Sequence, residues 1–273
     1  MSKKEYIVII TEGETTEIDI IENLQKIFFS DEEKKHQILL PFKTNIYQLW
    51  RQLEKDDFET DIIEVLIERD EKIKEVFTKI DKKNISEKYL FFDYDGHDNL
   101  ALNKLDGDDV IKRMIDSFDN ETENGKLYIS YPMVEAIKHL KKGVSCSEIC
   151  YVKGKENINY KKIASFNTNL PALKDYNKVV WKRILNHGVK KANCIINNNF
   201  IKPNYEEYRK KFDQSNIFEY QFKKFIDGKA NIAVLSGFPF FLIDYFGDKL
   251  FSEICEDNYV NFDNTCNYTQ SES

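Results

Sequence analysis

Two short apolar runs, each followed by acidic residues and glycine, are the clearest pattern along the chain. Residues 6–11 (YIVIIT) lead into Glu12 and Gly13, and residues 89–92 (YLFF) lead into Asp93. A continuous apolar run of this length is typical of a strand that is buried on both faces. The pattern therefore predicts two central strands of a parallel sheet, and such sheets bind their ligands at the strand ends.

Helical and strand-like periods alternate through the first half of the chain. Apolar residues recur at helical spacing in residues 16–29, whereas residues 37–42 are typical of a strand. The alternation continues with predicted helices at 44–54, 62–80, 110–118 and 133–142, and predicted strands at 88–95 and 126–131. Strands and helices in this order favour an α/β fold, with a parallel sheet flanked by helices.

The second half of the chain is poor in glycine and rich in lysine, and helical spacing dominates it. Helical periods occur at 169–186, at 205–225 and, after Pro239, within 232–246. The last residues are rich in Asn, Asp and Ser, a composition typical of a terminus that frays. We therefore expect an α/β domain at residues 1–143, a mainly helical subdomain at 144–255 and a flexible tail at 256–273.

Charge is distributed unevenly along the chain. The net charge is −7, which alone would disfavour nucleic acid as a partner. Residues 136–230, however, carry 20 Lys and Arg against 8 Asp and Glu (+12), while the rest carries 20 against 39 (−19). A basic segment of this kind favours contact with a phosphate backbone, although a solvated helical surface explains the same lysines.

Cysteine usage and hydropathy indicate the compartment. Five scattered cysteines, an odd number, suit a reducing cytoplasm and buried reduced thiols. Cys146 and Cys150, with His139, His187 and Cys194, suggest zinc, but their spacing does not match the common zinc motifs. No apolar run reaches the length of a membrane span and no signal peptide is visible, so we expect a cytoplasmic protein that does not enter a membrane.

The ends of the two predicted central strands resemble the Toprim domain, which topoisomerases, bacterial primases and several nuclease families share. That domain has Glu-Gly after its first strand and Asp-x-Asp after a later one, as in Glu12-Gly13 and Asp93-x-Asp95 here. The longer string EGETTE, residues 12–17, is similar to the small RloB-like and OLD-type nucleases. The resemblance covers most of the predicted α/β domain and implies a Toprim-like parallel sheet.

The carboxylates at these strand ends are candidate metal ligands. Asp93 and Asp95 share one face of an extended segment, and two carboxylates at that spacing can hold a divalent cation. The three carboxylates at the two strand ends are hard oxygen ligands, and ligands of this kind and number suit Mg²⁺ or Mn²⁺. The resemblance implies that Glu12 is a general acid or base or a further ligand, and that Glu17 lies near the site. Asp98 is a candidate ligand of a second ion. Acids at the start of a helix, favoured by its dipole, are the structural alternative for both glutamates, and ordinary acidic residues at the exit of a strand are the alternative for Asp93 and Asp95.

A glutamate and three lysines follow the next predicted strand. Related nucleases place a proline-containing turn and a glutamate at this point, so the resemblance assigns Glu135 to the site. An ordinary acid at a helix N-terminus is the alternative. Lys138, Lys141 and Lys142 lie on the helix predicted there, and Lys138 shares a face with each of the other two. We expect these lysines to guide a phosphate backbone towards the site.

Together these patterns predict a metal-dependent nuclease that hydrolyses phosphodiester bonds of DNA or RNA with Mg²⁺ or Mn²⁺ as cofactor. The resemblance implies an effector of an anti-phage defence system beside an ABC- or SMC-like ATPase, since the chain itself has no P-loop for ATP. Two other classes stay open. One is a non-catalytic nucleic-acid-binding or scaffold subunit of an ATPase complex, and the other is a strand-transfer or primase-related subunit. Metal-dependent cleavage by the isolated chain distinguishes the nuclease from the scaffold.

Overall fold

A computed structural model describes most of the chain. It covers residues 4–30, 35–43, 46–94, 107–140, 151–153, 159–166, 168–229 and 231–254, with the side chains of 107–109 left out. The chain divides into two compact units, Met1–Ile129 and Ser130–Ser273. The predicted boundary at residue 143 and the tail predicted from residue 256 lie outside the described ranges.

A five-stranded sheet forms the centre of the first unit. Its strands are β1 (Glu5–Thr11), β2 (Lys35–Pro41), β3 (Ile85–Asp93), β4 (Asp119–Asn120) and β5 (Gly125–Ser130), in the spatial order β2-β1-β3-β5-β4. β1 is parallel to β2 and to β3, and β4 is antiparallel to β5. The apolar runs lie inside, since every residue from Ile7 to Ile10 is at most 1% exposed and Leu90 is fully buried. The prediction of two buried central strands is confirmed.

Five α-helices and a short 3-10 helix, Lys82–Asn84, lie in the described part of the first unit. The α-helices are, in chain order, α1 (Thr16–Phe28), α2 (Ile46–Glu54), α3 (Ile62–Arg69), α4 (Glu71–Phe77) and α5 (Gly107–Ser117). The prediction of one helix over residues 62–80 is wrong, because the chain leaves the helical conformation at Asp70 (φ −135°, ψ 115°). The Asp70 carboxylate accepts a hydrogen bond from the Lys72 N–H at 2.8 Å and so caps the next helix.

The second unit is mainly helical where the structure describes it. Its helices are α6 (Tyr160–Phe166), α7 (Lys178–Asn197), α8 (Tyr205–Lys211), α9 (Gln214–Gln221) and α10 (Phe238–Ser252). An antiparallel strand pair, β6 (Tyr151–Lys153) and β7 (Asn231–Ala233), is too short for a sequence period to reveal. The predicted α/β fold with a helical C-terminal region is confirmed and is consistent with a Toprim-like fold. No helix in the described ranges is long and apolar enough to cross a membrane.

The segment after β5 differs from the predicted α-helix at 133–142. Its described part is a five-residue 3-10 helix, Val134–Lys138, in the second unit. Beyond it, Leu140 forms an isolated β-bridge, and the carbonyl of His139 accepts a hydrogen bond from Lys191 Nζ at 3.0 Å. The His139 N–H donates to the Ala136 carbonyl at 3.2 Å and the Leu140 N–H to the Lys138 carbonyl at 2.8 Å. Neither N–H therefore bonds to the fourth preceding residue, as an α-helix requires, and the predicted α-helix is wrong here.

Candidate functional site

Glu12 and Asp93 stand at the carboxyl ends of the neighbouring parallel strands β1 and β3. The backbone N–H of Asp93 donates a hydrogen bond to Glu12 Oε2 at 3.1 Å. The backbone N–H of Glu12 in turn donates to the carbonyl oxygen of Phe91 at 3.0 Å. The Glu12 side chain therefore extends the ladder between the two strands, and the structure brings these two predicted site residues together.

The Glu-Gly turn is built around a buried carboxylate. The Gly13 N–H donates to Glu17 Oε1 at 3.0 Å, and Thr11 Oγ1 donates to the Gly13 carbonyl at 2.9 Å. Glu17 is only 6% exposed, and a Cβ atom at position 13 would lie 2.5 Å from Glu17 Oε2. A side chain at position 13 would have to displace the Glu17 carboxylate, which occupies that space. Glu17 thus holds the turn that carries Glu12.

Lys43 links this turn to the loop after β2. Its N–H donates to the Glu12 carbonyl at 3.0 Å, and its Nζ lies 3.0 Å from Glu14 Oε1 and 3.4 Å from Asp70 Oδ2. Hydrogen bonding to Glu14, and then to Asp70, raises the pKa of Lys43 above its ordinary value. The pKa of Asp70 is lowered, first by the Lys72 N–H and then by Lys43. Lys43 also has φ 63°, a left-handed conformation that few residues other than glycine adopt.

The remaining predicted ligands and two of the lysines cannot be placed. Outside the described ranges lie Asp95, Asp98, Lys141 and Lys142. Within those ranges, no group of three or more His, Cys, Asp or Glu side chains gathers as a metal site would require. Mg²⁺, however, is usually bound by one or two protein carboxylates together with water and substrate phosphate. Glu12 and Asp93 supply two such carboxylates, so the donor set fits Mg²⁺ or Mn²⁺.

Glu135 and Lys138 lie in the 3-10 helix of the second unit. Glu135 is 5% exposed, and its Oε1 lies 3.5 Å from Lys161 Nζ. Its Oε2 has no hydrogen-bond partner within the described part of the chain. Lys138 is half-buried, and the 3-10 helix does not give it the α-helical face that the sequence predicts. The assignment of both residues to the site stays a prediction.

A cluster of buried basic side chains in the second unit was missed by the sequence pattern. Lys191 is 3% exposed, and its ammonium group donates to the His139 carbonyl at 3.0 Å. His139 Nδ1 lies 3.0 Å from the Tyr160 hydroxyl, and His187 lines the same small pocket as Lys191. Burial lowers the pKa of Lys191 to about 7 and that of His139 to about 3. Burial also lowers the pKa of His187 well below its ordinary value.

Cys194, in α7, is disulfide-bonded. The prediction of reduced thiols is therefore wrong for this cysteine, and all the other cysteines lie outside the described ranges. Although His139 and His187 line one pocket, no third His, Cys, Asp or Glu joins them into a metal-binding group among the described residues.

Comparison with protein-family models, with curated proteins and with solved structures finds no match to this chain. The resemblance to Toprim nucleases therefore rests on the motifs at the strand ends and on the fold class.

Proposed function

We propose that the chain is a divalent-metal-dependent nuclease that hydrolyses phosphodiester bonds of nucleic acid. The observation that carries this proposal is the hydrogen bond from the Asp93 N–H to the Glu12 carboxylate. It joins two motifs that lie 81 residues apart in the sequence. Both stand at the carboxyl edge of a parallel sheet, where α/β proteins bind their ligands.

Glu12 and Asp93 would hold Mg²⁺ or Mn²⁺, and Asp95 and Asp98 are further proposed ligands. When bound, the cation polarises a phosphate and lowers the pKa of a water that attacks it. The hydrogen bond to Asp93 fixes the orientation of the Glu12 carboxylate. Gly13 leaves room for the Glu17 carboxylate, which binds the Gly13 N–H and holds the turn that carries Glu12.

The basic residues of the segment 136–230 are the proposed contacts to the nucleic-acid backbone, and Lys138, Lys141 and Lys142 are the first among them. Lysine–phosphate contacts release counterions, so the affinity should fall steeply as salt is raised and should not depend on base sequence. Charge reversal at Lys138 and Lys142 should weaken binding to every sequence. An affinity that does not change with salt would instead indicate a protein or small-molecule partner.

We also propose that the chain acts as a regulated effector in anti-phage defence, with an ABC- or SMC-like ATPase as its partner. The support is the resemblance to RloB-like and OLD-type nucleases and the absence of a P-loop from the sequence. Co-expression with the products of adjacent genes, followed by pull-down and a toxicity assay, tests this role. Full activity and toxicity of the chain alone would refute this role. A Glu12→Gln variant that is as toxic as the wild type would refute it too.

Cleavage by the purified chain is the decisive experiment. Plasmid, linear DNA, tRNA and total RNA are each incubated with Mg²⁺, Mn²⁺ or EDTA. Because full activity is proposed to need a partner, we expect weak metal-dependent cleavage by the chain alone that Glu12→Gln and Asp93→Asn abolish, and thermal stabilisation by Mn²⁺ that only the wild type shows. Glu22→Gln is the matched control, because Glu22 is an exposed glutamate on α1, outside the turn.

Two other outcomes would change the conclusion. Equal Mn²⁺-induced shifts in the wild type and in both variants would reject the metal site at Glu12 and Asp93. Binding of nucleic acid without cleavage in any metal would favour the alternative, a non-catalytic nucleic-acid-binding or scaffold subunit.

A further inference from the structure

An open pocket of about 150 Å³ lies at the carboxyl end of β2, in the first unit. The loop that forms one wall is bonded to the candidate site. The Phe42 N–H donates to the Thr11 carbonyl at 2.7 Å, and the Lys43 N–H donates to the Glu12 carbonyl at 3.0 Å. Lys43, which lines the pocket, is therefore hydrogen-bonded directly to the backbone of the proposed catalytic glutamate.

The lining of this pocket combines an apolar floor with a charged rim. Pro41, Phe42, Leu66 and Ile73 supply the apolar surface, and the rim carries Lys43, Arg69 and Asp70. An apolar surface beside fixed charges is typical of pockets that bind small organic groups with an ionic end.

One charge on the rim has no ion-pair partner among the described residues. Lys43 is paired with Glu14 and Asp70, and Asp70 also accepts the Lys72 N–H, so these groups satisfy one another. The Arg69 guanidinium stacks on the Phe42 ring, 4.5 Å from Cζ to the ring centroid, and no described carboxylate pairs with it. The pocket thus presents one exposed guanidinium that is held in place by an aromatic face and that no described carboxylate contacts.

We propose that this pocket binds a phosphodiester group of the substrate next to the one that is cleaved, with Arg69 as the residue that holds it. The inference rests on the proposed nuclease function. The single unpaired charge of Arg69 matches the single charge of a phosphodiester, and the planar guanidinium presents paired N–H donors to phosphate oxygens.

The backbone of Lys43 supports the same assignment. Its left-handed conformation is maintained by the hydrogen bond to the Glu12 carbonyl and by the two carboxylates that bind its side chain. Backbone strain of this kind concentrates at ligand-binding sites, where it presets the position of a loop. Here it sets the distance between the pocket wall and the proposed catalytic turn.

The test compares two arginines that both stack on aromatic rings in the first unit. Arg113 lies over Trp50, 5.1 Å from Cζ to the ring centroid, but it is already paired with Glu54 at 3.3 Å. Binding of a labelled single-stranded oligonucleotide is measured in EDTA over a range of salt concentrations. Arg69→Gln should weaken binding about tenfold and reduce the slope of log K against log salt by about 0.7. Arg113→Gln should leave both unchanged.

A neutral methylphosphonate linkage, placed in turn at each position of the oligonucleotide, locates the contact. One position should weaken binding to the wild type about tenfold and have no effect on Arg69→Gln, because the guanidinium that reads that charge is gone. Arg69→Lys keeps the positive charge but loses the paired N–H donors of the guanidinium, so it should bind with intermediate affinity. If Arg69→Gln fails to fold, the same methylphosphonate comparison between the wild type and Arg69→Lys decides the question. Wild-type affinity and slope in Arg69→Gln, or an unchanged penalty at every linkage, overturns the proposal.

The outcomes also separate this proposal from the nuclease proposal. Metal-dependent cleavage by the wild type, with normal binding by Arg69→Gln, would refute the pocket and leave the nuclease standing. Binding that depends on Arg69, with no cleavage in any metal, would support the pocket and refute the proposed hydrolysis.

Discussion

Replacing Lys191 by methionine should stabilise the protein at neutral pH. Burial lowers the pKa of this lysine from 10.5 to about 7, so the folded state binds the lysine's proton weakly. From these two values, proton linkage predicts a destabilisation of about 4 kcal/mol at pH 7 and about 1 kcal/mol at pH 10. Losing the hydrogen bond to the His139 carbonyl offsets about 1–3 kcal/mol of the gain at either pH.

The sign follows from the number of protons that each state binds. Between pH 7 and pH 10.5 the unfolded chain keeps the Lys191 proton while the folded chain releases it. The stability of the wild type therefore rises with pH in this window, and the methionine variant lacks that increase. His139 and His187 stay neutral throughout it, because both have lowered pKa values. The advantage of the variant should shrink by about 3 kcal/mol between pH 7 and pH 10.

Urea unfolding of the wild type and of Lys191→Met at pH 7, 8, 9 and 10 measures this difference. Lys190→Met is the control, because Lys190 precedes Lys191 in the same helix but is only half-buried. Its difference from the wild type should stay nearly constant with pH. If the difference in the free energy of unfolding between Lys191→Met and the wild type also stays constant with pH, burial of the ammonium group does not destabilise the folded state as claimed.

Three further substitutions test the local structure. Gly13→Ala should displace the buried Glu17 carboxylate, cost about 1–3 kcal/mol in urea melts and lower any nuclease activity, and a wild-type melt would contradict this. Gly125→Ala should lower the thermal midpoint, at a cost of about 1–3 kcal/mol, because φ is 109° and the new Cβ would lie 2.5 Å from Leu90 Cδ1. Asn177→Ala removes the cap of α7, in which the side chain accepts two backbone N–H groups at 3.0 Å, and should cost about 1 kcal/mol, whereas Asn177→Asp should retain most of the stability.

The two central strands and the pairing of Glu12 with Asp93 follow from elementary sequence patterns. A continuous apolar run predicts burial on both faces, and the structure buries residues 7–10 and 90–92. Parallel neighbours have their carboxyl ends on the same edge of the sheet, so acidic residues just after two such runs come together there. The contact between them needs no information beyond the order of the strands.

Other features depend on tertiary contacts that a local pattern does not reveal. Asp70 interrupts a continuous apolar period because its side chain caps α4 and binds Lys43. Lys191 lies on the apolar stripe of α7, between Ile184 and Ile195, where a long side chain can either be buried or reach solvent. Solvation of a lysine is the usual expectation, so only the three-dimensional packing identifies the exception.

The hydrogen bond from the Asp93 amide to the Glu12 carboxylate gives this protein a built-in spectroscopic reporter. Most amides at the end of a strand donate to a carbonyl or to water, whereas this one donates to a side chain whose charge can change. Its proton resonance should move whenever that carboxylate gains a proton or a cation, and its exchange with solvent should accelerate when the contact breaks. One amide cross-peak would then follow events at the proposed metal-binding glutamate directly, without a substrate and without a label on the nucleic acid.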